Sequence, residues 1–256
     1  MADALVLHED RCFDPDPVIR RVARTLYDET RRLPIIAPHG HVDPRILAGN
    51  EPFAEPAALI VQPDHYILRL LYARGVPLET LLDGDPRKVW QLFAEQYFLF
   101  RGTPTGAWLD HELHDVFGVE QRLAAETARS IYDAIVERLA SPEFRPRALF
   151  ERFNIEVLAT TDKASDPLEH HQALRQSGWK GKVIPCFRPD AVFKIAAPGW
   201  PAELEALGRE HGAPLVDYAE FVHALEDRRA FFKRMGATAT DHAVLEPHTT
   251  WLPPDE

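Results

Sequence analysis

Apolar positions along this chain change texture partway. Val18, Val22, Ala23 and Leu26 recur at helical spacing behind Asp16-Pro17, a helix-start signal, and predict a helix over residues 18–32. Residues 33–42 (LPIIAPHGHV) read as a short buried strand whose far end turns polar. From there to about Phe153 the periodicity is helical, with helices predicted over 65–74, 86–100, 108–117 and 124–139. Each is bracketed by Gly, Pro or Asp, and no convincing strand interrupts them. After Asn154 strands alternate with helices. Residues 155–160 (IEVLAT) and 182–187 (KVIPCF) are apolar strands ending at Thr161-Asp162 and Arg188-Pro189-Asp190. Helices follow near 167–176, 202–211 and 218–235, and residues 237–240 make a last short strand before Asp241-His242.

Alternating strands and helices imply parallel pairing through βαβ units. Polar residues gather where the strands end: His39, His41, Asp162, Arg188, Asp241 and His242. In a (β/α) barrel the active site is built at that end of the strands. A Rossmann sheet is the competing architecture, but it wants a Gly-rich turn after its first strand, which residues 39–44 (HGHVDP) do not supply. A closed barrel takes about eight strands, and only about half that number can be read here. The last residues, Leu252 to Glu256, come shortly after a strand. The expectation is half of a barrel, with open strand edges.

Composition narrows the classes. Of 256 residues, 45% are hydrophobic and 27% charged, the balance of a folded globular chain rather than a disordered one. No apolar window reaches the roughly 18 residues of a membrane span. The first twelve residues lack the basic and apolar regions of a secretory signal. With Lys+Arg 29 against Asp+Glu 40, the net charge of −11 disfavours binding driven by nucleic-acid phosphates. Cys12 and Cys186, two cysteines in all, cannot build a Cys-rich zinc module or a disulfide scaffold. A cytoplasmic protein with no nucleic-acid or membrane partner is expected.

Candidate chemistry begins with His39-Gly40-His41. Alternate residues on a strand point the same way, so two imidazoles at i and i+2 converge on one point, and Gly40 leaves room on the other face. That suits a divalent ion, and imidazole favours zinc and its first-row neighbours. Two histidines in a polar loop is the competing reading, because HxH is short. Asp64-His65-Tyr66 opens a helix: Asp64 caps it, or His65 and Tyr66 serve as an acid/base or substrate-orienting pair. Arg188 at a strand end either holds a substrate carboxylate or pairs with Asp190 or Asp162. Asp241-His242 could bind metal, orient substrate or cap a helix. Glu169-His170-His171 reads mostly as solvated helix surface, and His111-Glu112-Leu113-His114 lacks the HExxH spacing of a metalloprotease.

Taken in order, PHGHVDP (38–44), PDHY (63–66), WLDHEL (108–113) with Phe117-Gly118, TTD (160–162), LEHH (168–171), FRPD (187–190) and TDHA (240–243) resemble uronate isomerase, also called glucuronate isomerase, of the amidohydrolase superfamily. The resemblance covers nearly the whole chain. It implies a distorted (β/α)8 TIM-type barrel with a helical insertion after the first strand. Residues 1–256 would be the N-terminal part of that one domain, and about 45–153 its insertion. It also implies interconversion of D-glucuronate with D-fructuronate, and of D-galacturonate with D-tagaturonate, through an enediol. His39 and His41 match metal ligands of the family, and the cofactor implied is a divalent metal such as Zn2+. Arg188 matches its carboxylate-binding arginine. His65 and Tyr66 match residues at the substrate, either being a candidate proton carrier. Asp241 lies in the family's TDH/SDH segment and is a catalytic candidate whose role the resemblance leaves open. The family's late barrel segment, with a metal-ligating Asp and a neighbouring Arg, has no counterpart here.

Two other readings remain. A metal-dependent hydrolase of the same superfamily would share the HxH motif and use activated water. An inactive truncated fragment would need help from outside. The partners in view are a hexuronate, further copies of the chain in a homo-oligomer, or the missing C-terminal half.

Overall fold

Helices start where an acidic side chain can take up the unpaired N–H groups of the first turn. The computed structural model describes residues 3–244 and 250. In chain order its elements begin with α1 (Pro17–Thr30), β1 (Ile35–Ala37), α2 (Pro44–Gly49), α3 (His65–Ala73), α4 (Leu78–Leu82) and α5 (Pro86–Glu95). Then come α6 (Pro104–His111), α7 (Ala128–Leu139), α8 (Pro146–Arg152), β2 (Ile155–Ala159), β3 (Asp162–Lys163) and α9 (Glu169–Gln176). The last are β4 (Lys182–Ile184), β5 (Phe187–Arg188), α10 (Asp190–Phe193), α11 (Trp200–His211) and α12 (Tyr218–Arg234). Asp16, Asp43, Asp64, Asp85 and Asp217 cap α1, α2, α3, α5 and α12 through their carboxylates. No helix among the described residues is long and apolar enough to cross a membrane.

Two compact units divide these elements. The first joins the residues up to Leu33 with Glu51–Leu149, and the second joins Pro34–Asn50 with the chain from Phe150 onward. The first unit is helical. Its core gathers Ile67, Leu71, Leu81, Trp90, Phe93, Phe100, Leu109, Leu113, Ile135 and Leu139, all fully buried. Val89, Trp90, Phe93 and Ala94 form the inward stripe of α5, and the Trp90 indole donates to the Ala128 carbonyl at the start of α7. Each such side chain contributes about 1.5–3 kcal/mol on burial. In α1 the expected apolar stripe exists, but Val18, Val22 and Leu26 are all exposed and no residue of the helix is buried.

The second unit is α/β and its strands are parallel. One sheet has the order β1-β2-β4, and β3 pairs with β5 in a second. Ile35 faces Ile155, Ala37 faces Leu158, and Leu158 faces Val183. The ladder carries on irregularly, Thr160 N–H donating to Ile184 O and Asp162 N–H to Cys186 O. Leu47, Phe150, Leu158, Leu174 and Val183 pack on one side. A second cluster joins Leu168, Phe187, Val192, Leu207, Ala224, Phe232 and Met235.

Three expectations need correction. The first strand is short, as expected, but not buried: of residues 33–42 only Ile35–Ala37 form β1, and Ile35 and Ile36 are exposed. Pro38 offers no N–H to prolong the ladder, and β1 is paired on one side only. The strand expected over 182–187 breaks at Pro185 into β4 and β5 for the same reason. Residues 237–240 form no strand, only a single parallel bridge from Thr240 to Phe187. The terminal stretch Leu252 to Glu256 lies outside the described residues, as do the first two.

Candidate active site at the strand ends

Pro38 ends β1, so His39 and His41 stand on a loop beyond the strand rather than on it. They converge all the same. Their Nε2 atoms lie 2.9 Å apart, with the rings edge to face at 4.7 Å. Gly40 makes this possible: a Cβ there would lie 2.8 Å from the Ala159 carbonyl oxygen at the end of β2. The loop runs against β2, and the Thr161 hydroxyl donates to the Gly40 carbonyl at 3.3 Å.

Asp241 stands behind His39. Its N–H donates to Phe187 O, and its Oδ2 lies 3.0 Å from His39 Nδ1. That oxygen is buried and accepts no well-aligned hydrogen bond. Arg188 follows β5. Its Nε donates to Asp190 Oδ2 at 2.6 Å, and its Nη1 lies 3.6 Å from Asp241 Oδ2. Of the two carboxylates offered as alternative ion-pair partners for Arg188, Asp190 is the one it meets, and Asp190 Oδ1 also accepts the Ala243 N–H. Burial works to raise the Asp190 carboxyl, but the Ala243 N–H and the guanidinium overcome it and hold it below the usual range. The His242 ring stacks on Phe193 at 6.2 Å.

Beneath these groups lies a buried polar relay. The Thr160 hydroxyl donates to Asp162 Oδ2 at 2.6 Å and lies 2.9 Å from His171 Nε2. Burial pushes the Asp162 carboxyl up to about 6 and the His171 imidazole down to about 4. His171 is therefore uncharged at neutral pH. This corrects the reading of 169–171 as solvated surface: α9 turns His171 inward, where it is 1% exposed. The sequence signal was present in the LEHH segment, but the face it occupies is set by packing.

In the first unit, Asp64 does cap α3, accepting from Tyr66 N–H at 2.7 Å and Ile67 N–H at 3.1 Å. His65 and Tyr66 are exposed, their rings 4.2 Å apart, and Tyr66 meets Trp108 edge on at 6.0 Å. Glu112 is the residue sequence reasoning passed over. Burial first, and the Asp64 charge second, push its carboxyl up to about 7. His111 and His114 each lie beside the Asp115 carboxylate.

The donor set at the strand ends fits an imidazole-favouring divalent ion. Two Nε2 atoms face one point, and a carboxylate lies 3.0 Å behind His39 Nδ1, the position of the usual support of a ligating histidine. These features define a parallel α/β protein with polar, ligand-rich strand ends.

Comparison with known proteins narrows this class. The model of the family described as glucuronate isomerase matches residues 18–252. The uronate isomerase of Nostoc punctiforme is 52% identical over 260 residues, covering 98% of this chain and 55% of that protein. That of Rhizorhabdus wittichii is 53% identical over 244 residues, covering 94% and 52%. Among solved structures, glucuronate isomerase from Caulobacter crescentus superposes with a TM-score of 0.92 at 44% identity, over 94% of this chain and 52% of that one. Uronate isomerase from Thermotoga maritima superposes with 0.86 at 29% identity, over 92% and 52%. The chain belongs to the glucuronate isomerase family. It spans about half the length of the curated relatives it matches.

Proposed function

We propose that this chain carries the strand-end site of an aldose–ketose isomerase that interconverts D-glucuronate with D-fructuronate, and D-galacturonate with D-tagaturonate. The observation that carries the reading is the convergence of His39 and His41 with Asp241 behind them and Arg188 beside Asp241. Relatives named uronate isomerase at about half identity support it.

The reaction moves a proton from C2 to C1. C2 loses its proton and O1 gains one, giving the enediol; C1 then takes a proton and O2 gives one up. The C2 proton is too weakly acidic for an unaided His or Tyr at neutral pH, so charge on the oxygens must be stabilised. A divalent ion such as Zn2+, held by His39 and His41, would polarise substrate oxygens and stabilise the enediolate charge. Asp241 orients His39. Arg188, its Nε occupied by Asp190, presents its Nη edge to the substrate carboxylate. His65 and Tyr66 are the proposed proton carriers, on the strength of the sequence resemblance.

The architecture proposed is the N-terminal part of a (β/α)8 barrel of the amidohydrolase superfamily, with about 45–153 inserted. The parallel order β1-β2-β4 and the further pairing of β5 toward Thr240 support it. The test of the carboxylate role is Arg188→Ala in an active assembly. A loss of about ten- to hundredfold in kcat/KM for hexuronates, absent for a neutral aldose, is expected from one charged hydrogen-bonded contact. Equal losses on both substrates would remove Arg188 from that role.

A further inference from the structure

Away from the strand ends, α11 and α12 bring together another set of metal-ligating side chains. His211 is the last residue of α11, placed just before Gly212, whose left-handed backbone (φ 88°) ends the helix. The chain then returns, and Asp217 caps α12. Glu220, His223 and Asp227 stand at i, i+3 and i+7 of α12, which puts them on one face. That face meets His211. One ligand atom each from His211, Glu220 and His223 lies within 4.8 Å of the others. His211 Nε2 is 3.7 Å from Glu220 Oε2, and the two imidazoles meet edge to face at 5.4 Å.

Two further observations separate this cluster from an ordinary patch of surface charge. The His211 side chain is only 8% exposed. Asp227 Oδ2 lies 2.9 Å from its Nδ1, as a carboxylate does behind a ligating imidazole, and leaves Nε2 aimed at Glu220. Two imidazoles and one carboxylate are a donor set that suits zinc and its first-row neighbours, with a fourth position left for water.

We propose that His211, Glu220 and His223 form a second divalent-cation site, of the zinc class, which fastens the end of α11 to the first turns of α12. Leu207 of α11 and Ala224 and Phe232 of α12 already share one apolar cluster, so an ion here would staple a packed helix pair.

The test is zinc binding by the untagged full chain, measured by competition with a chromophoric chelator and by metal analysis after dialysis. It is run on the wild type, on His39→Ala/His41→Ala, and on His223→Ala in both backgrounds. His223 is exposed, so its loss should leave the circular dichroism spectrum unchanged. The expected result is one bound equivalent that survives His39→Ala/His41→Ala and disappears with His223→Ala. Asp227→Asn should weaken that equivalent about 10- to 100-fold without abolishing it. Unchanged zinc stoichiometry and affinity in folded His223→Ala would overturn the proposal. Zinc binding unaffected by His39→Ala/His41→Ala would instead count against the strand-end pair, leaving the two sites separately decided.

Discussion

A methyl group at Gly40 would stand 2.8 Å from a backbone oxygen that cannot move without disturbing β2. Gly40→Ala should therefore shift the loop that aims His39 and His41 while sparing the cores of both units. Zinc retention at the pair is expected to fall at least tenfold with thermal stability lowered by about 1–3 kcal/mol; wild-type retention would show that the close approach does not position the ligands. Glu112 makes a pH-dependent prediction. Its ordinary value is 4.5 and its folded value about 7, so between those limits the folded state keeps a proton that the unfolded chain has lost. Stability from this group thus falls as pH rises through that window. Glu112→Gln should match the wild type near pH 4.5 and exceed it near pH 8 by roughly 2–3 kcal/mol. Denaturant titrations at the two pH values check this, and an equal difference at both would contradict it. The paired histidines, the Asp64 cap and Arg188 were legible from spacing and strand-end position. Glu112 and His171 were not, because their state depends on which helix face is buried.

Among the elements, Asp16-Pro17 announced the first turn of α1, whereas the same signal at 43–44 opens α2, a helix the hydropathy pattern had not suggested. Strands were harder. Pro38 and Pro185 cut ladders that hydropathy alone would have run through, and the segment before Asp241 pairs by one bridge. Between β1 and β2 the described elements are all helical, and their packing turns on a few large side chains. Trp90 ties α5 to α7 through its indole N–H as well as its rings. Trp90→Phe keeps most of the apolar contact but loses the indole bond to the Ala128 carbonyl, which still accepts within α7, and should cost about 0.5–1.5 kcal/mol in denaturant unfolding. A cost below a few tenths would mean that the hydrogen bond adds nothing to the packing.

Across the second unit, parallel α/β pairing was readable because strands and helices alternate after Asn154, and polar side chains gather where those strands end. What the periodicity of α1 did not reveal is that its apolar stripe is uncovered, with Val22 58% and Leu26 63% exposed. A stripe that buries nothing contributes little to stability. Val22→Lys with Leu26→Lys should change unfolding free energy by less than about 0.5 kcal/mol per site and raise solubility. A large destabilisation would show that the helix is held through that face after all.

The central claim is that the His39–His41 site belongs to a hexuronate isomerase, and one assay addresses it directly. The zinc-loaded chain is combined with the C-terminal half of the Caulobacter crescentus relative, given D-glucuronate, and followed for the keto-uronate with a coupled reductase. Turnover is expected in the combined sample and is expected to be lost with His39→Ala. Turnover that survives His39→Ala, or none from an assembled complex that binds zinc, would contradict that claim.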